Sequence, residues 1–205
     1  MKTVLVDNQE VTPSKIVCVG RNYVDHITEL GNEIPEEMVV FNKPNSAIST
    51  TLISQHQEQL HYEGELCFVV NKGAFSAVGF GLDLTKRALQ GKLKAKGLPW
   101  ERAKAFNGAA VFSDFVKIAP CDINETLILE LTINGQVKQH GGVELMMYKP
   151  HEILTELMTY TELNDGDIVM TGTPKGVGKV IKGSSFKGSI FTNNKTLVSR
   201  SWVAS

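Results

Sequence analysis

Apolar residues recur along this chain in two rhythms. Val- and Ile-rich runs at Thr3–Val6 and Lys15–Val19, broken by Pro13 and Gly20, predict short strands near the start. Over Glu63 to Val70 the alternation puts Tyr62, Gly64, Leu66, Phe68 and Val70 on one side and Glu63, Glu65, Cys67 and Val69 on the other, the period-2 pattern of a strand. Leu127–Ile133 and Gln136–His140 flank Asn134-Gly135, which predicts a hairpin closed by a type I′ turn. Ile168–Thr171 reads as a strand entering the loop Gly172-Thr-Pro-Lys-Gly-Val-Gly178, and the remainder as short β runs between Gly and Ser turns.

Helical spacing is confined to three places. Tyr23, Ile27 and Leu30 suit a short helix with Asn22 as N-cap and Gly31 as stop, which makes His26 and Glu29 i, i+3 neighbours. Leu84–Lys96 and Pro150–Tyr160 predict two further amphipathic helices. Many short strands, a few helices and no βαβ alternation define a β-rich α+β class, and neither an internal repeat nor a linker divides the chain.

Length and composition narrow the picture. At about 150 residues per domain, 205 residues predict a single domain over 1–205. A 42% hydrophobic, 21% charged chain with 18 Gly and 7 Pro is ordinary for a globular protein, which excludes collagen, coiled coil and wholesale disorder. The net charge of −1 denies nucleic acid or an anionic membrane a positive field to bind. No apolar run approaches spanning length and Asp7 interrupts the start, so cytoplasmic residence is expected. Cys18, Cys67 and Cys121 stand far apart among apolar neighbours and are expected to be buried thiols. Two N-x-T triplets, at Asn124 and Asn194, would matter only in a secreted chain and are read as coincidental.

Several groups could carry chemistry. Glu63 and Glu65 share a strand face, where like charges repel unless a cation lies between them, and Asp83 offers a third carboxylate at a strand-to-helix junction. Oxygen ligands favour Mg²⁺, Mn²⁺ or Ca²⁺ over zinc; the alternative is a solvated edge strand with two exposed glutamates. His26 with Glu29 is either a His–carboxylate base dyad or a surface pair. Gly172–Gly178 lacks the Walker spacing and remains either an anion-facing turn or a plain one, while Lys104 is a semi-buried cation or a solvated lysine.

In one respect the pieces gain by their order. The run Gly20-Arg-Asn-Tyr-Val-Asp-His26-Ile-Thr-Glu29, then Lys43-Pro44, His61-Tyr-Glu63-Gly-Glu65-Leu, Leu82-Asp83-Leu-Thr-x-Arg87-x-x-Gln90, Leu98-Pro-Trp100-Glu-x-Ala-Lys104-x-Phe and Asp165-Gly-Asp167 through Gly178 resembles the fumarylacetoacetate hydrolase family, in particular its small acylpyruvate hydrolases, over about residues 15–183. The resemblance implies a mixed β-sandwich roll, a homodimer, and one Mg²⁺ or Mn²⁺ on Glu63, Glu65 and Asp83. It further implies His26 and Glu29 as the base dyad on a lid-like helix, Lys104 and Thr173 on the carboxylate or enolate of a 2-oxo acid, and Arg21, Arg87 and Gln90 in the pocket. The implied reaction is metal-dependent hydrolysis of a 2,4-dioxo acid to pyruvate and a carboxylic acid, with His26 activating water. The alternatives are a decarboxylase or tautomerase of oxaloacetate type on the same site, and a catalytically silent 2-oxo-acid-binding protein.

This chain also departs from the family pattern. The segment Val69–Leu82 is shorter than usual, which predicts a thinner pocket wall, and Asn107 followed by Gly108-Ala-Ala-Val-Phe112 replaces the expected Asp and prolines beyond Lys104.

Overall fold

The computed structural model describes every residue except 30, 32 and 194. Twelve strands carry the architecture: β1 (Lys15–Gly20), β2 (Val39–Pro44), β3 (Ile48–Ser49), β4 (Gly64–Asn71), β5 (Ala74–Asp83), β6 (Ala110–Phe112), β7 (Val116–Lys117), β8 (Ile128–Ile133), β9 (Gln136–Gly142), β10 (Ile168–Met170), β11 (Ser185–Thr192) and β12 (Lys195–Val203). Three helices, α1 (Val24–Glu29), α2 (Arg87–Ala95) and α3 (Pro150–Tyr160), are interspersed.

The strands form two principal sheets. A mixed eight-stranded sheet runs β2-β1-β10-β4-β5-β6-β3, with β7 also on β5, and a four-stranded antiparallel sheet runs β9-β8-β11-β12. Parallel pairs occur at β1/β10 and β6/β3. The result is a curled, β-rich α+β fold, as the strand pattern predicts.

Alternation along β4 and β5 serves two cores. Leu66, Phe68, Val70, Val78, Phe80 and Leu82 face the core shared with the four-stranded sheet, where Leu129, Leu131, Phe186 and Trp202 meet them. Cys67, Val69 and Ala77 point the other way, to a second core with Cys18, Phe112, Phe115 and Met170. The central strand is therefore buried on both sides, and an exposed edge is excluded for Glu63 and Glu65. Truncating a filler such as Phe80, fully buried between the sheets, costs about 3–5 kcal/mol.

Local chemistry sets the turns. Asn134 (φ 50°) and Gly135 (φ 78°) both adopt the left-handed conformation that a type I′ turn needs. Lys72 (φ 52°) and Gly73 (φ 71°) do the same between β4 and β5. This turn lies at the opposite end of the hairpin from Glu65 and Asp83, and no residue from Val69 to Leu82 lines the cavity described below.

Other sequence expectations need correction. α2 begins at Arg87, later than Leu84, because the Thr85 and His61 backbones exchange hydrogen bonds of 2.9 Å and keep the chain extended. Asn22 does not cap α1; its buried amide donates to the carbonyls of Tyr148 (3.0 Å) and Thr171 (2.9 Å) and accepts from Tyr148 N–H (2.7 Å). Cys121 is exposed, whereas Cys18 and Cys67 are buried as expected. The C-terminal stretch forms two long paired strands, β11 and β12, whose Ser, Gly and Lys positions are accommodated between the inward Phe186, Ile190 and Trp202. Leu30, the third apolar position of the first helix, and Asn194 lie outside the described residues.

A candidate metal centre beneath a histidine

The β4/β5 register brings the three acids together. Glu65 pairs with Gly81 and Gly64 with Leu82, and the amide of Asp83 donates to the Glu63 carbonyl at 2.8 Å. Gly81 makes room: a Cβ there would lie 2.5 Å from Cys67 Sγ and 3.0 Å from the Phe112 ring. One carboxylate oxygen from each of Glu63, Glu65 and Asp83 lies within 4.8 Å of the others, on side chains belonging to residues only 6%, 2% and 1% exposed.

Cations brace two of these acids. Lys104 Nζ donates to Glu63 Oε2 (2.7 Å), Asp83 Oδ2 (2.6 Å) and Thr85 Oγ1 (2.6 Å). Lys43, fully buried, pairs with Asp83 Oδ1 at 2.7 Å and donates to the Lys104 carbonyl. Arg87 pairs with Glu63 and donates to Gln90 Oε1 at 2.8 Å. Glu65 is met instead by the Gly172 N–H at 2.8 Å.

Charge states follow from these contacts. Burial alone would raise the Glu63 carboxyl, but Lys104 and then Arg87 hold it well below the usual range. Burial, with Asp83 and Glu63 beside it, pushes Glu65 well above that range despite the Gly172 amide. Burial opposes the Lys104 ammonium, yet Asp83 and Glu63 keep its pKa above the ordinary lysine value. Three close, buried oxygen donors, one of them calling for more positive charge, fit a hard divalent cation such as Mg²⁺ or Mn²⁺.

A candidate base sits at the cavity wall. His26 is buried on α1, and its Nδ1 lies 3.4 Å from Glu29 Oε2, a loose contact. Burial lowers its pKa first and Arg87 adds to that, against Glu63 and Glu29, so the neutral imidazole is favoured. Glu29 accepts from the Gly176 N–H at 3.0 Å and 3.1 Å through its two oxygens. Gly176 has φ 98°, and a Cβ there would lie 2.0 Å from the Lys138 carbonyl, so the loop at this point requires glycine.

A cavity of about 500 Å³ gathers these groups. His26, Glu63, Glu65, Asp83, Lys104, Arg21, Arg87, Gln90 and Thr173 all line it; Glu29 reaches it through His26. Two of these side chains also hold the site together. All three Lys104 donors are engaged by Glu63, Asp83 and Thr85. The Thr173 hydroxyl donates to the Gly64 carbonyl (2.9 Å) and accepts from Gln139 Nε2 (2.8 Å), which ties the loop to the ligand strand. Asn107 is exposed and does not line the cavity.

Sequence reading passed over three contributors. Lys43 was noticed only as part of a Lys-Pro step, although it bridges Asp83 and the Lys104 carbonyl. Gln139 braces Gly64 N–H through its Oε1 at 2.8 Å. Lys94 completes the 87, 90, 94 helical spacing on α2 and also lines the cavity. Its pKa falls to about 8 through burial and then the charges of Arg21, Lys104 and Arg87.

Three buried carboxylates close enough together to hold one metal ion share a cavity with a histidine, a make-up suited to a metal site. Residues 15–200 match the family described as fumarylacetoacetate (FAA) hydrolase C-terminal, and the chain belongs to that family. It is 36% identical over 186 residues to oxaloacetate tautomerase YcgM of Escherichia coli (strain K12), covering 83% of this chain and 85% of that one. A solved structure from Oleispira antarctica, described as a fumarylacetoacetate isomerase/hydrolase, superposes over 100% of both chains with a TM-score of 0.94 at 32% identity. The fumarylpyruvate hydrolase of Pseudomonas aeruginosa in complex with Mn²⁺ and pyruvate covers 100% of this chain and 96% of its own with a TM-score of 0.87 at 27% identity. Among the described residues, no helix is long and apolar enough to cross a membrane.

Proposed function

We propose that this protein is a divalent-metal-dependent oxaloacetate tautomerase, interconverting the keto and enol forms of a short 2-oxo dicarboxylic acid. The observation that carries the reading is His26, its pKa lowered by burial, on the wall of the cavity that also holds the three carboxylates, in a chain 36% identical to a relative named for this activity. This revises the expectation of carbon–carbon hydrolysis, which now rests on a 27% identical solved neighbour.

A cation held by Glu63, Glu65 and Asp83 would supply Lewis-acid polarisation of the 2-oxo group. His26 does the proton work. Its Nδ1 is turned to Glu29, which leaves Nε2 to take the C3 proton. As the C3–H bond breaks onto His26, the C2–C3 double bond forms, the C2 oxygen takes a proton from solvent and His26 releases one to solvent, so substrate and product are isomers and no water is consumed. In the reverse direction His26 returns the proton to C3. Lys104 holds Glu63 and Asp83 in position throughout, and Arg87 orients Glu63 and Gln90 at the cavity wall.

Decay of the oxaloacetate enol absorbance, followed with Mg²⁺ and with EDTA and paired with a pyruvate assay, tests the proposal. Metal-dependent acceleration without pyruvate supports it. Pyruvate released from oxaloacetate would replace it with decarboxylation, and pyruvate released from acetylpyruvate or fumarylpyruvate with hydrolysis.

A further inference from the structure

The cavity carries more positive charge than its metal centre uses. Arg21, Arg87, Lys94 and Lys104 line it against three carboxylates, before any divalent cation is counted. Lys104 and Arg87 are committed to Glu63 and its neighbours. Lys94 is different: among the described residues no hydrogen bond or ion pair engages it, and its ammonium lies over the Trp100 indole, 4.7 Å from the ring centroid. Trp100 in turn packs on Phe41, with centroids 5.1 Å apart.

That arrangement positions a cation without neutralising it. An aromatic face attracts the ammonium through its quadrupole and leaves N–H donors open. Arg87, Gln90 and Lys94 stand at i, i+3 and i+7 on one face of α2, so Lys94 is about 10 Å along the helix axis from the arginine at the metal centre. A lysine stem and a four-carbon acid can together close that gap.

We propose that Lys94 receives the distal carboxylate of the substrate and is the residue that makes the site prefer a 2-oxo dicarboxylic acid over a 2-oxo acid with an uncharged end. The inference rests on the 2-oxo-acid reading above, and it names a specificity determinant for that site. A depressed ammonium pKa of about 8 agrees with a half-buried cation surrounded by like charge, which an incoming carboxylate relieves.

The test compares two acids of matched shape, oxaloacetate and 2-oxobutanoate, which differ at C4 by a carboxylate in place of a methyl group. Binding to the Mn²⁺-loaded protein is measured by titration calorimetry for the wild type, Lys94→Met and Lys94→Arg. The wild type is expected to bind oxaloacetate more tightly, Lys94→Met to weaken oxaloacetate by about tenfold while 2-oxobutanoate stays within about twofold, and Lys94→Arg to keep most of the preference. Equal loss of both ligands in Lys94→Met, an unchanged ratio, or no preference in the wild type would each overturn the assignment. Because calorimetry reads equilibrium binding whether or not the keto and enol forms interconvert, an enzyme that binds oxaloacetate through Lys94 but fails to tautomerise it refutes the proposed activity alone. Tautomerisation with an unchanged binding ratio refutes the role of Lys94 alone.

Discussion

Asp83 lies directly across the β4/β5 ladder from Glu63, its amide donating to the Glu63 carbonyl at 2.8 Å. Two metal-ligand candidates 20 residues apart are therefore neighbours by backbone pairing, before any side chain is considered. Because side chains alternate between faces, a one-residue slip in this register would send them to opposite cores. The centre is as stable as the hairpin that holds it.

Metal binding should raise thermal stability, and Glu65 should control the effect. Mg²⁺ or Mn²⁺ at a hundredfold excess over Kd is expected to add about 2.7 kcal/mol to the wild type and to add little to Glu65→Gln, as read by melting with metal and with EDTA. The sign of the pH effect follows from the raised Glu65 pKa. Its protonated form favours the fold below the ordinary carboxylate range, and that contribution is lost as pH rises toward the folded value. In EDTA, wild type should thus lose stability relative to Glu65→Gln between acid and neutral pH. A flat difference across that range refutes the account.

Removing the base should leave the metal in place. His26→Ala is expected to lower kcat by about 100- to 10,000-fold while the metal-induced rise in Tm persists. The His26 pKa lies below the usual 6.5, so the acid limb of kcat/KM should fall below that pH, with a plateau through neutrality. An acid limb centred above 7 would point to a different base.

Gly81→Ala tests the space requirement. The new methyl would meet Cys67 Sγ at 2.5 Å, and the expected loss is about 1–3 kcal/mol together with weaker metal binding. Adding Cys67→Ala should recover part of both, since the obstructing atom is then gone; a double variant no better than the single would show that the clash is relieved elsewhere.

Asp167 predicts a stability defect away from the cavity. Its fully buried carboxylate accepts from Ser14 N–H (2.9 Å), Ser14 Oγ (2.7 Å), Lys15 N–H (3.1 Å) and Asn164 N–H (2.9 Å), and pairs with Lys15 Nζ at 2.8 Å. Burial would raise its pKa, but the bonds from Lys15 and Ser14 lower it. The stability it confers is present above the ordinary carboxylate range and is lost as pH falls through the depressed value. Asp167→Ala should cost about 3 kcal/mol in denaturant melts at neutral pH, and less in acid.

Much of the site was legible because period-2 alternation is a strong signal: Glu63 and Glu65 fall on one face of any strand that keeps Leu66 and Phe68 together on the other. The Asn134-Gly135 turn and the helix Pro150–Tyr160 were legible for similar local reasons. What sequence could not reveal depends on distant partners. Asn22 looks like a cap until Tyr148 and Thr171 claim its amide, and Leu84 looks helical until Thr85 bridges to His61. The contacts of Lys104 were hidden for the same reason, since Glu63 and Asp83 reach it only through the hairpin register. Cys121, between Pro120 and Asp122, is exposed on a single 3-10 turn despite the apolar Ala119 and Ile123 nearby.

The loop Gly172–Gly178 meets both halves of the centre through its backbone, Gly172 N–H on Glu65 and Gly176 N–H on Glu29. The gap between metal ligand and base partner is consequently measured out in peptide units. Lys175 adds a side-chain tie to the Glu29 helix through Asp25 at 2.9 Å, and gaining or losing a single residue here would shift the Gly176 contact relative to the Gly172 one.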